Sequence, residues 1–180
     1  MQLIEAVKKE HTNGLVKESL DTIENDLGFV PNGMAVAANS PASLKMMFAM
    51  DDALAQGELN FTQREMIALA VSQANNCRYC LSAHSEFCAM GTELQSTDII
   101  RARLCEADNP RDQAMLDLAV AIVERRGELP ENHLKNAREN GLTNSVIIEI
   151  ISNVISAIYG NYINHVAKTE IDWPLCRMDL

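Results

Sequence analysis

No apolar run in this 180-residue chain approaches the roughly 20 residues that cross a bilayer. "AVAANSP" and "IIEIISNVISAIYG" are apolar, but both are short and broken by polar residues, so no membrane partner is expected. The opening "MQLIEAVKKEHTNG" lacks the apolar core of a signal peptide, and a cytoplasmic protein is expected. Positive charge is also scarce, with 15 Lys and Arg against 25 Asp and Glu and a net charge of -10. Such a surface repels phosphate backbones, which argues against nucleic acid as a partner. "VKKEH" and "ERRGE" are each balanced by nearby acids. The five cysteines are odd in number and unevenly spaced, so a structural disulfide framework is not expected. Alternating apolar–polar stretches and hairpin turns are missing too, which argues against strands.

What is present is helical punctuation. The 47% hydrophobic content is ordinary for a globular domain, and the length suits a single domain over 1–180. "LVKESLDTIENDLG" has apolar residues at helical spacing and a closing Gly28. Ser40-Pro41 and Asn109-Pro110 each read as an N-cap followed by a first-turn proline. Thr62 is expected to open "TQREMIALAVSQA", and Gly91 to stop the helix that follows. "STDIIRARLC", "PENHLKNARENG" and "TNSVIIEIISNVISAIYGNYINHVAKTE" complete the set. The β-branched residues of 146–158 are ambiguous, and their length favours helix. The expectation is an all-α fold of about eight or nine helices. A faint repeat, offset by 81, places Thr62 on Thr143, Ile67 on Ile148 and His84 on His165.

The chemistry is concentrated in "NNCRYCLSAHSEFC", residues 75–88. With Asn76 as N-cap, Cys77 would be the first helical residue and Cys80 would lie one turn on. The helix N-terminus favours thiolate over thiol. His84, at i+4 from Cys80, shares its face and can take its proton. This spacing makes Cys80 the base-assisted nucleophile and Cys77 the resolving thiol. Three readings remain open on the residues alone: a redox dithiol, a metal site and a buried, inert pair of thiols. Zinc requires four ligands. Cys77, Cys80 and His84 supply three, but Cys88 lies about 16 Å along the helix from Cys77 and cannot easily be the fourth. Glu65 reads first as the end of a capping box, Thr62-Gln-Arg-Glu65. Its second reading is a proton shuttle to the dithiol. Cys88 is expected to be a core thiol, and Cys105 and Cys176 have no sequence partner. His11 and His133 sit among charges and His165 in the core or an interface.

Glu65, Cys77, Cys80 and His84 together give E-x11-C-x-x-C-x-x-x-H. This pattern resembles the alkylhydroperoxidase D-like (AhpD-like) family of the carboxymuconolactone decarboxylase superfamily. "REMIALAVSQANNCRYCLSAHSEF" looks like its core motif, and "GFVPNGMAVAANSPASL" and "NYINHVAKTEIDWPL" look like its peroxidase-related branch. The resemblance covers most of residues 27–175. It implies an AhpD-like helical domain, a homo-oligomer built on trimers or hexamers, and thiol-dependent reduction of a peroxide substrate. It further implies a proton relay of Glu65, Cys77, Cys80 and His84, and no cofactor or metal. The electrons would come from a dithiol donor, either a lipoyl group or a thioredoxin-like protein. One position departs from the best-studied branch, where a second histidine precedes the second cysteine. Here it is Tyr79, a poor base but a possible hydrogen-bond donor to thiolate or peroxide. A non-enzymatic redox sensor is the alternative function, and a decarboxylase-like activity ranks third.

Overall fold

Asn60 starts the helix around which the rest of the chain is arranged. In the computed structural model, which describes residues 1–177, this helix is α4 (Phe61–Ala74). It follows α1 (Gly14–Leu27), α2 (Asn32–Ala37) and α3 (Pro41–Ala55). After it come α5 (Arg78–Gly91), α6 (Ser96–Arg103), α7 (Pro110–Arg125), α8 (Glu131–Glu139) and α9 (Asn144–Ala167). The described residues contain no strand, so the expected all-α fold stands. The six-residue α2 was not among the expected helices.

Helix α4 packs against α5, α6, α7 and α9. Glu65 through Ser72 are buried without interruption, as for a helix covered on every side. Its neighbours press Leu81, Met115, Leu116, Leu118, Val146 and Ile150 against it. Helix α9 is the single helix among the described residues long and apolar enough to cross a membrane, by length and composition. It packs on α4 and α7 and buries Val146, Ile147, Ile150, Val154 and Ala157 there. From its end, residues 168–177 run back across α5. The Cys176 N–H donates to Ser82 Oγ at 3.2 Å, and the buried Arg103 donates to the Arg177 carbonyl at 2.5 Å.

Several caps fall where the sequence placed them. Ser40 accepts from the Ser43 N–H, Asn109 from Asp112 and Thr143 from Val146, and Gly28 is left-handed. Gly91 is the last residue of α5, so the expected stop holds, though without a left-handed cap. A Cβ there would come within 2.7 Å of the Phe61 ring. Two expectations are corrected. Helix α4 begins at Asn60 rather than Thr62, with a reciprocal capping box between Asn60 and Gln63. The repeat has no structural counterpart in its caps or breaks. Thr143 caps its helix while Thr62 lies inside one, and α9 runs unbroken where α4 and α5 are separate.

Burial sets the expected cost of trimming α9. Ile150→Ala, at a fully buried site, should lower unfolding free energy by about 2–5 kcal/mol. Ile148→Ala, 62% exposed on the same helix, should change it by about 0.5 kcal/mol or less. Urea denaturation of the two variants measures both.

Candidate active site

The turn between α4 and α5 fixes the dithiol. Asn76 takes a left-handed conformation, φ 55°, which asparagine tolerates better than most residues. The Cys77 N–H donates to the Ser72 carbonyl at 2.9 Å. Helix α5 therefore starts one residue later than expected, with Cys77 rather than Asn76 at its N-cap. The Cys77 sulfur accepts from the Cys80 N–H at 3.4 Å. Cys77 and Cys80 are paired as a disulfide across this first turn, with Cα atoms 5.3 Å apart. Both are buried, at 2% and 5% exposure.

Helix α9 braces the turn from 86–90 residues away. Asn75 Nδ2 donates to Asn161 Oδ1 at 2.8 Å, and Asn161 Nδ2 donates to Ser72 Oγ at 3.0 Å. His165 Nε2 lies 3.1 Å from the Asn75 carbonyl, so this histidine reaches the turn rather than the sulfurs. Asn164 Nδ2 lies 3.5 Å from Cys80 Sγ and also donates to the Gly160 carbonyl. Asn161 and Asn164 were not found from the sequence. Their signal was present, as amides in an otherwise apolar helix, but it does not say which side they face.

Glu65 and His84 meet across the α4–α5 interface. Glu65 is buried at 8% exposure, and its Oε2 lies 2.8 Å from His84 Nδ1. The correction to the α4 cap explains how. With Asn60 and Gln63 closing the helix end, Glu65 lies beyond the box and its carboxylate is free to reach His84. Burial alone would push the His84 pKa down. The charge of Glu65, the hydrogen bond to it and the charge of Asp51 outweigh that, and the net direction is up from 6.5. The pair thus favours the imidazolium over the neutral ring.

A cavity of about 370 Å³ opens onto this group. Its apolar wall includes Met34, Met47, Phe48, Leu54, Phe87 and Trp173. Cys80, His84 and Glu65 line it and Cys77 does not. Trp173, the only tryptophan, is stacked edge-on between Phe29 and Phe87, with ring centroids 5.0 and 5.2 Å apart. Tyr79 is differently employed than expected. Its hydroxyl accepts from the Gly33 N–H at 2.8 Å and from Trp173 Nε1 at 3.3 Å. It therefore ties α2 and the C-terminal segment to α5, while the side chain lines the cavity together with Cys80. Burial first of all keeps its pKa far above the usual 10, so the phenol stays protonated. A Cβ on Gly33 would lie 2.9 Å from the Tyr79 ring, so this close approach needs glycine.

The remaining thiols are set apart. Cys88 is fully buried, and burial pushes its pKa up to about 12. Cys105 is likewise pushed up to about 12, by burial and then by Asp117. Cys176 is half-buried outside the cavity, its sulfur 3.9 Å from the Arg78 carbonyl.

The profile of the carboxymuconolactone decarboxylase family matches residues 41–107, the stretch from α3 to just past α6. The structure superposes on the alkylhydroperoxidase AhpD core of a peroxidase-related protein from Ralstonia eutropha JMP134. That match has a TM-score of 0.85 and 25% identity, over 95% of this chain and 92% of the other. The chain has the AhpD-like fold, and its residues 41–107 match the carboxymuconolactone decarboxylase family. The AhpD-like fold also superposes on a debrominase solved with 2,3,4-tribromopyrrole, at TM-score 0.81 and 18% identity over 96% of this chain and 92% of that one. The Bacillus subtilis (strain 168) protein YdfG is 33% identical over 85 residues. That stretch is 46% of this AhpD-like chain and 58% of YdfG.

The ion pair makes a prediction about protonation. His84's pKa is raised on folding, so the pair's stabilisation is complete below the unfolded value of about 6.5 and fades as pH rises through the raised value. Glu65→Gln should bring the His84 pKa down, because burial then faces less opposing charge. An NMR titration of the His84 ring protons in the two proteins reads the shift directly.

Proposed function

We propose that this AhpD-like protein is a thiol-dependent peroxidase, reducing hydrogen peroxide or organic hydroperoxides through a Cys77–Cys80 dithiol cycle. One observation carries the reading. Cys80 lines an apolar cavity together with the Glu65–His84 pair, while Cys77 lies outside it, so one sulfur meets an incoming molecule and the other waits behind it.

The chemistry runs in three steps. Cys80 thiolate attacks the distal peroxide oxygen, the O–O bond breaks, and the leaving alkoxide or hydroxide takes a proton from His84. Cys80 is then a sulfenic acid. Cys77 thiolate attacks that sulfur, forming the disulfide and expelling hydroxide, which takes a proton from solvent and leaves as water. An external dithiol then reduces the disulfide by two exchange steps and is itself oxidised. Each protein thiol has its own activator. His84 on the next turn and the Asn164 amide favour the Cys80 anion. The helix N-terminus and the Cys80 N–H favour the Cys77 anion. The donor we propose is a lipoyl group or a thioredoxin-like protein. The working assembly is a trimer or hexamer, for which the exposed Ile148, Ile155, Tyr162 and Val166 on α9 supply an apolar face.

A redox sensor needs a dithiol but no substrate cavity, and the cavity at Cys80 favours an enzyme. Turnover separates the two. With a dithiol present, an enzyme consumes many equivalents of peroxide, whereas a sensor consumes one.

The division of labour between the sulfurs is tested by trapping. Peroxide-treated Cys77→Ser should carry a dimedone-reactive sulfenic acid on Cys80. Cys80→Ser should react about a hundredfold more slowly or worse. Peptide mass mapping of the oxidised wild type should find Cys77 linked to Cys80, with Cys88 and Cys105 free. Ready sulfenic acid on Cys77 in the Cys80→Ser variant would reverse the two roles.

A further inference from the structure

Among the described residues, Arg64 is the cavity-lining cation whose own bonding is unfinished. It sits on α4 beside Glu65, with a side chain only 15% exposed. A guanidinium carries five N–H donors, and burying it without partners is costly. Among the described residues, none of the five makes a hydrogen bond, and Nε is fully buried without a partner. Its two contacts are weak. Nη1 lies 3.6 Å from Asp51 Oδ1, on a carboxylate side chain that is 82% exposed and screened by water. The guanidinium carbon lies 5.7 Å from the centroid of the Phe61 ring, which holds its plane in place.

The contrast with Arg103 is instructive. That arginine is also buried, but its Nε donates to Gln73 Oε1 at 3.0 Å and its Nη2 to the Arg177 carbonyl at 2.5 Å. The fold therefore satisfies an arginine where the role is structural. Arg64 is left short at the wall of a cavity. The other charged groups on that wall are the exposed Asp51 and the mutually paired Glu65 and His84. Among the described residues, Arg64 is thus the sole lysine or arginine facing the cavity. On a chain with a net charge of -10, it is a local exception to a field that repels anions.

We propose that Arg64 is the recognition point for a substrate carboxylate, and that the cavity takes amphipathic organic acids: an apolar body along the Met34, Phe48 and Phe87 wall, with the acid group on the Arg64 fork. The planar guanidinium matches a carboxylate bidentately, which a lone lysine would not. Asp51 is the carboxylate nearest that fork, and its exposure lets it swing into water when the ligand's carboxylate arrives. This rests on the peroxidase reading for what happens next, namely that the acid carries its hydroperoxide on the apolar body, within reach of Cys80. The recognition itself needs no turnover.

Binding is measured first, on the disulfide form, which cannot react. Trp173 lines the cavity and is the only tryptophan, so its fluorescence reports occupancy. Decanoate, below its micelle concentration, should bind about tenfold more tightly than methyl decanoate, the ratio expected of one charge-assisted contact. Arg64→Gln should erase that ratio and Arg64→Lys should keep part of it. Asp51→Asn, at an exposed position outside the packed core, should increase the ratio by removing the competing carboxylate. Equal binding of acid and ester to the wild type, or a ratio that survives Arg64→Gln or is unmoved by Asp51→Asn, overturns the proposal. Turnover is measured second, comparing KM for a carboxylate-bearing hydroperoxide and its methyl ester, with the acid expected about tenfold lower. If both hydroperoxides are inert while decanoate still discriminates through Arg64, the peroxidase reading fails and the carboxylate site stands. If both are turned over with equal KM and decanoate binds no better than its ester, the carboxylate site fails and the peroxidase reading stands.

Discussion

A carboxylate buried in the middle of a helix covered on every side must find a partner, and the arrangement around Glu65 follows from that need. Leaving the charge unpaired in this interior would cost several kcal/mol. His84 answers it from the next helix at 2.8 Å. That single pairing fixes how α5 is rotated against α4. Because Cys80 lies one turn before His84, the rotation also determines which sulfur faces the cavity. The same carboxylate raises the histidine's pKa and so favours its proton-carrying form. Stability and chemistry therefore draw on one interaction.

Position along α5 is set at the Asn75–Cys77 turn. The turn is short, includes a left-handed residue, and would leave polar groups unpaired if α9 were elsewhere. Asn161 links Asn75 to Ser72, and His165 covers the Asn75 carbonyl. Asn164, one residue earlier than His165, brings an amide to Cys80. A helix apolar enough to pass for a membrane span thus carries the amides that organise the dithiol. The C-terminal segment closes the far side, where Trp173 joins the ring stack and donates to Tyr79.

Five cysteines share the chain, but burial and neighbours separate them. Cys88 and Cys105 are driven toward the neutral thiol. Cys77 and Cys80 sit at a helix start, where dipole and N–H groups favour the anion. AhpD-like relatives of this fold include a peroxidase-related protein and a debrominase, so the scaffold does not by itself name a reaction. Within it, this chain builds a cavity wall of apolar side chains, one ion pair, and an arginine short of partners.

The sequence by itself determined whatever depends on neighbours a few residues apart. Caps at Ser40, Asn109 and Thr143, the helical character of 146–158, and the shared face of Cys80 and His84 are all consequences of spacing along one helix. It was misleading where two local frames competed. Thr62–Glu65 and Asn60–Gln63 are both plausible capping boxes, and only the packed helix chooses the second, which releases Glu65. Gly91 ends α5 as its type suggests, but what needs glycine there is a ring from α4 pressed against it rather than a left-handed turn. The roles of Tyr79, Asn161, Asn164 and Arg64 were illegible for one physical reason. Each depends on what lies across an interface: Gly33 and Trp173 for the phenol, Asn75 and Ser72 for one amide, Cys80 for the other, and for Arg64 the shortage of any close acceptor. Hydrogen bonds within a turn are set by the chain's own geometry, but those between residues more than 80 positions apart form only where the core has already brought two helices together.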